Sequence, residues 1–158
     1  MTLSDGRGGR PVAALVLDCD GVILDSNDLK TQSFRKALFA VGYAAADVDR
    51  FTELQTRSFG LSRYRLIRAF FTEVLGQPVD EAAEQALLTD FAARCREGYL
   101  TVAETPGLRD FLGRWSARAP LFVASGSDAA DLREGFVRRG LAGYLKAVSG
   151  SARPSGVC

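Results

Sequence analysis

Two carboxylates, Asp18 and Asp20, stand two positions apart, directly after a short apolar run at positions 12–17 and just before Gly21. In an extended segment alternate residues point to the same face, so both carboxylates can reach one ligand. One can then act as a nucleophile and the other as a general acid and base. The alternative is a polar turn that closes a strand, because Asp and Gly are ordinary turn residues. Taken alone, this short pattern favours the turn.

A second polar cluster, Ser125-Gly126-Ser127, follows the apolar run 121–124. A hydroxyl at a strand end, followed by Gly and a helix N-terminus, is a common anion-binding arrangement. The alternative is a helix cap with a flexible turn, and for this cluster alone the cap is the stronger interpretation. Ligands of open α/β sheets bind beyond the carboxyl ends of the strands. Because each cluster follows a strand candidate, the two together favour one shared site.

The elements that must position these residues are strands alternating with helices. Apolar runs at 12–17, 121–124 and 144–148 are the strand candidates, and the first is typical of a strand buried on both faces of a parallel sheet. Helical periodicity fills most of the chain between them, with Ser127 or Asp128 placed to cap the helix after the second strand. This order predicts an α/β fold with a Rossmann-like parallel sheet.

The helical block between the first two strands is most simply an inserted cap above the strand ends. Its stripes are centred near residues 34–41, 61–75 and 83–95. The predicted organisation is therefore a flexible tail, a core in two pieces, a cap and an irregular end. The ranges are 1–10 for the tail, 11–26 and 105–150 for the core, 27–104 for the cap, and 151–158 for the end.

Composition excludes several classes of function. The chain has 158 residues with 20 Lys and Arg against 19 Asp and Glu, and the resulting net charge of +1 argues against a general nucleic-acid binder. No apolar run reaches membrane-spanning length and no secretory signal is recognisable, so we expect a cytoplasmic protein without a membrane partner. The absence of histidine removes Ser–His and Cys–His dyads. Three widely spaced cysteines predict neither a disulfide framework nor a zinc cluster.

The segment 18–26, DCDGVILDS, resembles the first motif of the haloacid dehalogenase superfamily in its phosphatase branch, D-x-D-G-[VT]-[LI]-x-D-[ST]. The segment 123–127 is similar to the second motif, an apolar strand ending in Ser or Thr, and 105–108 is similar to the Pro-Gly that opens the preceding helix. The block 27–104 matches the helical cap of many members. The resemblance covers residues 11–150 and implies a phosphatase of the phosphoglycolate-phosphatase-like kind.

By this resemblance, Asp18 would attack phosphorus and form an aspartyl-phosphate. Asp20 would protonate the leaving oxygen and then activate the hydrolytic water. Mg²⁺ would be held by the Asp18 carboxylate and the Asp20 backbone carbonyl, while Ser125 and the Gly126 N–H would hold phosphoryl oxygens. The implied function is a Mg²⁺-dependent phosphomonoester hydrolase that acts on a small phosphorylated metabolite.

Two further motifs of the family have no clear counterpart. One is a Lys, sometimes Arg, that follows the third strand and neutralises the phosphate and the nucleophile, and the other is an acidic pair after a later strand that completes the Mg²⁺ site. Lys30 and Lys36 fall in the first cap helix and Lys146 in the third strand candidate, so Arg153 is the nearest positional candidate for the family lysine. The distal acidic pair is missing, because no Asp or Glu follows Glu134. We therefore interpret the chain as a C-terminally truncated member whose last core strand or strands are missing. The alternatives are a catalytically impaired member that only binds a ligand or partner and, third, a phosphomutase; the oligomeric state stays open.

Four arginines cluster in the cap, at positions 57, 63, 65 and 68. Arg63, beside the turn at 60–63, is the candidate for binding an anionic part of the substrate, since Arg suits carboxylate and phosphate recognition. A solvated helix face is the favoured alternative for the cluster. Cys95 lies on an apolar helical face and is expected in the core.

Overall fold

The computed structural model describes residues 12–58 and 60–151. The predicted tail at 1–10 and Arg153 therefore lie outside the described residues. The described part contains three strands and six α-helices: β1 Leu15–Leu17, α1 Asn27–Val41, α2 Ala45–Arg57, α3 Arg63–Ala69, α4 Glu81–Thr101, α5 Leu108–Ser116, β2 Leu121–Asp128, α6 Ala129–Arg138 and β3 Ala147–Ser151. A π-helical turn, Phe70–Val74, continues α3, and a 3-10 turn, Ala142–Tyr144, precedes β3. None of the helices in this part is long and apolar enough to cross a membrane.

The three strands form a parallel sheet in the order β1-β2-β3. Leu15 lies opposite Leu121 and Phe122 lies opposite Ala147. Helix α6 connects β2 to β3 and packs on both strands. The prediction of an α/β, Rossmann-like parallel sheet with helices inserted after the first strand is confirmed.

Strand β1 is less buried than its apolar sequence predicted. Val16 is 64% exposed, so burial on both faces was a wrong expectation for this strand. The reason is that β1 packs mainly against β2, and no helix of the described part packs extensively on the face that carries Val16.

Strand β3 begins at Ala147, later than the predicted run 144–148, because Ala142–Tyr144 forms a 3-10 turn. Its small residues allow a close approach to the β2–α6 junction. A Cβ at Gly150 would lie 2.3 Å from the Ser127 carbonyl oxygen and 2.6 Å from the Ala129 nitrogen. The strand therefore requires a residue without a side chain at this position.

The inserted helices pack around an aromatic cluster. The rings of Phe34 and Phe91 stack with centroids 3.8 Å apart, and Phe51 meets Phe34 edge-on at 5.2 Å. Helix α2 was not among the predicted helices, yet it contributes Phe51 to this cluster together with buried Val48 and Leu54. The cluster ties α1, α2 and α4 into one unit.

The two connections between the cap and the core run side by side. The Asp25 N–H donates to the Ala103 carbonyl at 2.9 Å, and the Thr105 N–H donates to the Ile23 carbonyl at 3.1 Å. Leu24 and Glu104 form an antiparallel bridge between these bonds. The chain thus enters and leaves the cap at one place, directly beside the end of β1.

Candidate functional site

A tight loop after β1 shapes the floor of the site. The Cys19 carbonyl accepts hydrogen bonds from the N–H groups of Val22, Ile23 and Leu24 at 3.3, 2.9 and 2.9 Å. Gly21 adopts the left-handed conformation that this reversal needs, with φ of 76°. The loop therefore turns the chain back on itself, so that Ser26 and the start of α1 face the carboxylates of β1's end.

Asp18 and Asp20 line the same cavity, as their spacing predicted, but their surroundings differ. The Asp18 side chain is exposed, and its Oδ1 accepts a hydrogen bond from the Cys19 N–H at 2.6 Å. Cys19 between them is fully buried, and burial together with the Asp20 charge raises the pKa of its thiol far above the usual range. The exposed Asp18 carboxylate is thus the one with room for a reacting group.

Asp20 is held by donors from three parts of the chain. Lys30 Nζ lies 2.5 Å from Oδ2 and the Ser26 hydroxyl donates to Oδ1 at 2.6 Å. Two hydroxyls from β2 also point at Oδ2, Ser127 at 3.2 Å and Ser125 at 3.4 Å. The Asp20 side chain is only 11% exposed, so its position is defined before any ligand arrives.

Tyr99, from the last turns of α4, completes this network. Its hydroxyl lies 2.8 Å from the Ser127 hydroxyl and 3.5 Å from Asp20 Oδ1. Burial first, and then the Asp20 charge, raise the pKa of Tyr99 well above its usual range, so the phenol stays protonated and available as a donor. The Arg139 guanidinium, from the core, bonds the carbonyls of Tyr99 and Val102 and thereby holds the end of α4 in place.

The predicted phosphate-binding pair is close to the carboxylates, with one addition. Ser125 lies within hydrogen-bond distance of Asp20, and Gly126 lines the cavity beside Asp18. Ser127, which the sequence analysis assigned only a capping role, is 2% exposed and lines the cavity too. The helix cap is Asp128, whose carboxylate accepts from the N–H groups of Ala130 and Asp131. β2 continues through this segment to Asp128, with an irregular register after Ala124.

The cavity above these residues has a volume of about 250 Å³. Its core end is formed by Asp18, Asp20, Gly126 and Ser127. Lys30 of α1 reaches this end through its contact with Asp20. The cap end is formed by other residues of α1 to α4 and the turn before α3, namely Asn27, Phe34, Gln55, Ser58, Gly60, Leu61, Arg63, Leu66 and Phe91. The sequence prediction of a cap above the strand ends thus corresponds to a cavity enclosed between the two parts.

Arg63 differs from the other three arginines of its cluster. It is only 7% exposed and lines the cavity, with its guanidinium carbon 5.6 Å from the centroid of the Phe91 ring. Arg57, Arg65 and Arg68 are exposed, and Arg68 pairs with Glu84 at 2.7 Å. Among the described residues no carboxylate pairs with Arg63. The solvated-face interpretation therefore fits three of these arginines but not Arg63.

The family model of the haloacid dehalogenase-like hydrolases matches residues 12–156. The chain belongs to this family. Among curated proteins, none gives a match. Solved structures with the same fold are numerous, and the family membership agrees with the resemblance in segment 18–26.

Three solved members of the fold illustrate the similarity. A predicted phosphoglycolate phosphatase from Haemophilus somnus has a TM-score of 0.73 at 15% identity, covering 94% of this chain and 67% of its own. CbbY from Rhodobacter sphaeroides, in complex with phosphate, has a TM-score of 0.69 at 17% identity, covering 90% and 65%. YfnB from Bacillus subtilis, bound to magnesium, has a TM-score of 0.63 at 17% identity, covering 88% and 65%. The chain thus spans about two thirds of the length of these structures.

In this haloacid dehalogenase-like chain, the described residues offer oxygen ligands for Mg²⁺ but few of them. They contain no group of three or more acidic, cysteine or histidine side chains that could hold a metal. The exposed Asp18 carboxylate and the Asp20 backbone carbonyl are the two candidates. Mg²⁺ is commonly bound by one or two carboxylates, several waters and substrate phosphate oxygens. The residues present therefore fit an open Mg²⁺ site that a phosphate ligand helps to complete.

Sequence reasoning missed the contact of Lys30 with the site. Lys30 was placed correctly in the first cap helix, but its approach to Asp20 was not anticipated. A signal was present, because α1 begins at Asn27, directly after the motif, and Lys30 is the fourth residue of that helix. A residue in the first turn of a helix that starts beside a site can reach back to it.

Proposed function

We propose that this haloacid dehalogenase-like hydrolase is a Mg²⁺-dependent phosphatase that cleaves small phosphomonoesters through an aspartyl-phosphate on Asp18. The observation that carries the proposal is the difference in exposure and hydrogen bonding between the two carboxylates. Asp18 is exposed to the cavity, whereas Asp20 is 11% exposed and bonded to hydroxyls and Lys30. A free carboxylate beside a rigidly held one suits a nucleophile and an acid–base group, respectively.

In the proposed reaction, an Asp18 carboxylate oxygen attacks phosphorus, and the bond from phosphorus to the ester oxygen breaks. Asp20, positioned by Ser26 and Ser127, delivers a proton to the departing oxygen. It then takes a proton from the water that attacks the phosphorus of the aspartyl-phosphate, which releases phosphate and restores Asp18. Ser125 and the Gly126 N–H hold phosphoryl oxygens. Mg²⁺, when bound by Asp18 and the Asp20 carbonyl, would neutralise charge on the phosphoryl group.

The substrate in this proposal is a small metabolite with a second anionic group. The cavity of about 250 Å³ lies at the lower limit of ligand pockets, which favours a small molecule. Arg63 places a buried positive charge in the part of the cavity lining that the cap provides. A guanidinium with little access to water is stabilised by a charged hydrogen-bond partner, and a substrate carboxylate or second phosphate would supply it. A cytoplasmic location stays a prediction from the sequence.

The test is release of phosphate from an aryl phosphate by the purified chain, with and without Mg²⁺. We expect Mg²⁺-dependent turnover that falls by at least about 10³-fold in Asp18→Asn, because the nucleophile is lost. Asp110→Asn is the matched control, since Asp110 is an exposed carboxylate on α5. Turnover that survives Asp18→Asn would contradict the proposal.

A second candidate is a family member that binds a phosphorylated ligand without turning it over. The observation in its favour is that the described residues provide only two candidate ligands for Mg²⁺ and no three-residue acidic cluster. Isothermal titration with inorganic phosphate separates the candidates. Phosphate binding in a chain with no Mg²⁺-dependent turnover would support the binding protein over the enzyme.

A further inference from the structure

Lys30 has hydrogen-bonding capacity that its contact with Asp20 does not use. Its ammonium group carries three N–H donors. Within residues 12–58 and 60–151, Asp20 Oδ2 is the one acceptor that the group contacts, at 2.5 Å. The Lys30 side chain remains 22% exposed and lines the cavity together with Asp18 and Gly126. At least one donor is therefore available to a ligand bound over Asp18.

The core end of the cavity has an excess of negative charge. Asp18 and Asp20 contribute two carboxylates, and a phosphomonoester adds between one and two further negative charges at neutral pH. Of the described residues that line the cavity, Lys30 and Arg63 are the cations, and Arg63 lies against Phe91 in the cap. Lys30 is thus the cation at the phosphoryl end. Like charges brought together in a partly dry cavity repel each other strongly unless a cation lies between them.

We propose that Lys30 is a phosphoryl-binding residue of this chain. It keeps one N–H donor on Asp20 and gives a second to a phosphoryl oxygen of the ligand above Asp18. The proposal rests on the proposed function, because it needs a phosphate at that end of the cavity. It differs from the expectation in the sequence analysis, where the charge-neutralising group follows the third strand and Arg153 is the candidate. Here the charge comes from the first helix of the cap, three residues before the buried stretch that begins at Ser33.

The Lys30–Asp20 contact also links the cap to the core. Lys30 is on α1, which packs against α4 and α2 in the cap, while Asp20 belongs to the loop after β1. A phosphate that takes up a Lys30 donor would therefore add a bond between cap and core.

The experiment measures the dissociation constant of inorganic phosphate by isothermal titration in the full chain. We expect Lys30→Met to weaken phosphate binding by about tenfold to a hundredfold, the usual range for a charge-assisted hydrogen bond. Lys30→Arg keeps the charge and should restore part of the affinity. Lys36→Met is the matched control, because Lys36 is an exposed lysine on the same helix. Equal affinities for the wild type and Lys30→Met would overturn the proposal.

A double-mutant cycle separates phosphate binding from a role in holding Asp20. If Lys30 contacts the phosphate, Lys30→Met should still weaken binding when Asp20 is already replaced in Asp20→Asn. If Lys30 acts only by offsetting the Asp20 charge, the loss should vanish in that background, and the proposal would be wrong. Thermal unfolding of each variant shows whether it is folded. Should Lys30→Met fail to fold, Lys30→Gln in the Asp20→Asn background gives the same comparison without an unpaired carboxylate.

The two proposals fail in different ways. A wild-type chain that binds no inorganic phosphate, with or without Mg²⁺, contradicts the proposed function and this inference with it. Phosphate binding that is equally tight in the wild type and in Lys30→Met contradicts this inference alone and leaves the phosphate site in place.

Discussion

The two ends of the cavity hold their charged groups in opposite ways. At the core end, Asp20 is surrounded by Lys30 and by hydroxyls of Ser26, Ser127 and Tyr99. At the cap end, Arg63 is 7% exposed and faces an aromatic ring, with no carboxylate partner among the described residues. Asp20 is thus fully paired without a ligand, whereas Arg63 lacks a counter-charge in the described part of the chain. On the proposed function, this contrast assigns the reaction and the choice of substrate to different parts of one cavity.

If the core end performs the chemistry, Asp20→Asn should lower kcat far more than it raises KM. We expect a fall of about 10²–10⁴-fold, the usual contribution of a general acid and base. Affinity for inorganic phosphate should be kept or improved, since a negative charge is removed. The measurement is steady-state kinetics with an aryl phosphate alongside phosphate titration. A variant that retains full kcat would show that Asp20 transfers no proton.

If the cap end selects the substrate, Arg63→Ala should raise KM and leave kcat nearly unchanged. For a phosphomonoester with a second anionic group, we expect an increase of about tenfold to a hundredfold, because a charge-assisted bond is lost. For an aryl phosphate that carries no anionic group besides its phosphate, KM should change little. Arg65→Ala is the control, as Arg65 is exposed on the same helix. An unchanged KM for every phosphomonoester with a second anionic group would show that Arg63 does not bind the substrate.

The rigidity of the core end can be tested through Gly150, whose backbone lies against the Ser127 carbonyl. Gly150→Ala should lower the free energy of unfolding by about 1–3 kcal/mol, because the added Cβ would overlap backbone atoms that have little room to move. The measurement is chemical denaturation. Gly143→Ala is the control, since a Cβ there meets nothing within 4 Å. Equal stability of the two variants would mean that β3 can shift away from Ser127.

The smallest expected effect concerns the dry interior of the cap. Burial raises the pKa of the Cys95 thiol from 9.0 to about 11. The thiol therefore ionises in the unfolded chain at a lower pH than in the folded one, and stability falls as the pH rises above 9.0. We expect this group to lower the free energy of unfolding by about 1 kcal/mol between pH 8 and 10. Other groups titrate in this range, so the measurement compares pH profiles of the wild type and Cys95→Ala. Parallel profiles would contradict the prediction.

The sequence predicted the core end of the site better than the cap end. Asp18, Asp20 and Ser125 could be placed together because parallel strands bring their carboxyl ends to one edge. Ser127 and Lys30 were assigned other roles, since their approach to Asp20 depends on an irregular register in β2 and on the loop after β1. The irregular register of β2 has no local sequence signal, whereas the position of Lys30 in the first turn of α1 was a signal that was not used.

The residues of the cap end are positioned by tertiary packing, which a pattern along the sequence does not describe. Arg63 and Arg65 are both polar positions of one short helix, yet one is buried beside Phe91 and the other is exposed. Helix α2 escaped prediction because its buried positions Val48, Phe51 and Leu54 lie between many charged residues and its N-terminus has no side-chain cap. The aromatic cluster, rather than helix propensity, holds that segment in place.

The side-by-side linkers at Asp25 and Thr105 have a consequence for how such a protein can be altered. Since the two ends of the helical block meet within one pair of backbone hydrogen bonds, the block can be exchanged as a cassette without lengthening or rethreading the sheet. A different helical block on the same two connections would cover the same Asp18 with different cavity-lining residues. A change of substrate would then require no change in the strands beneath it.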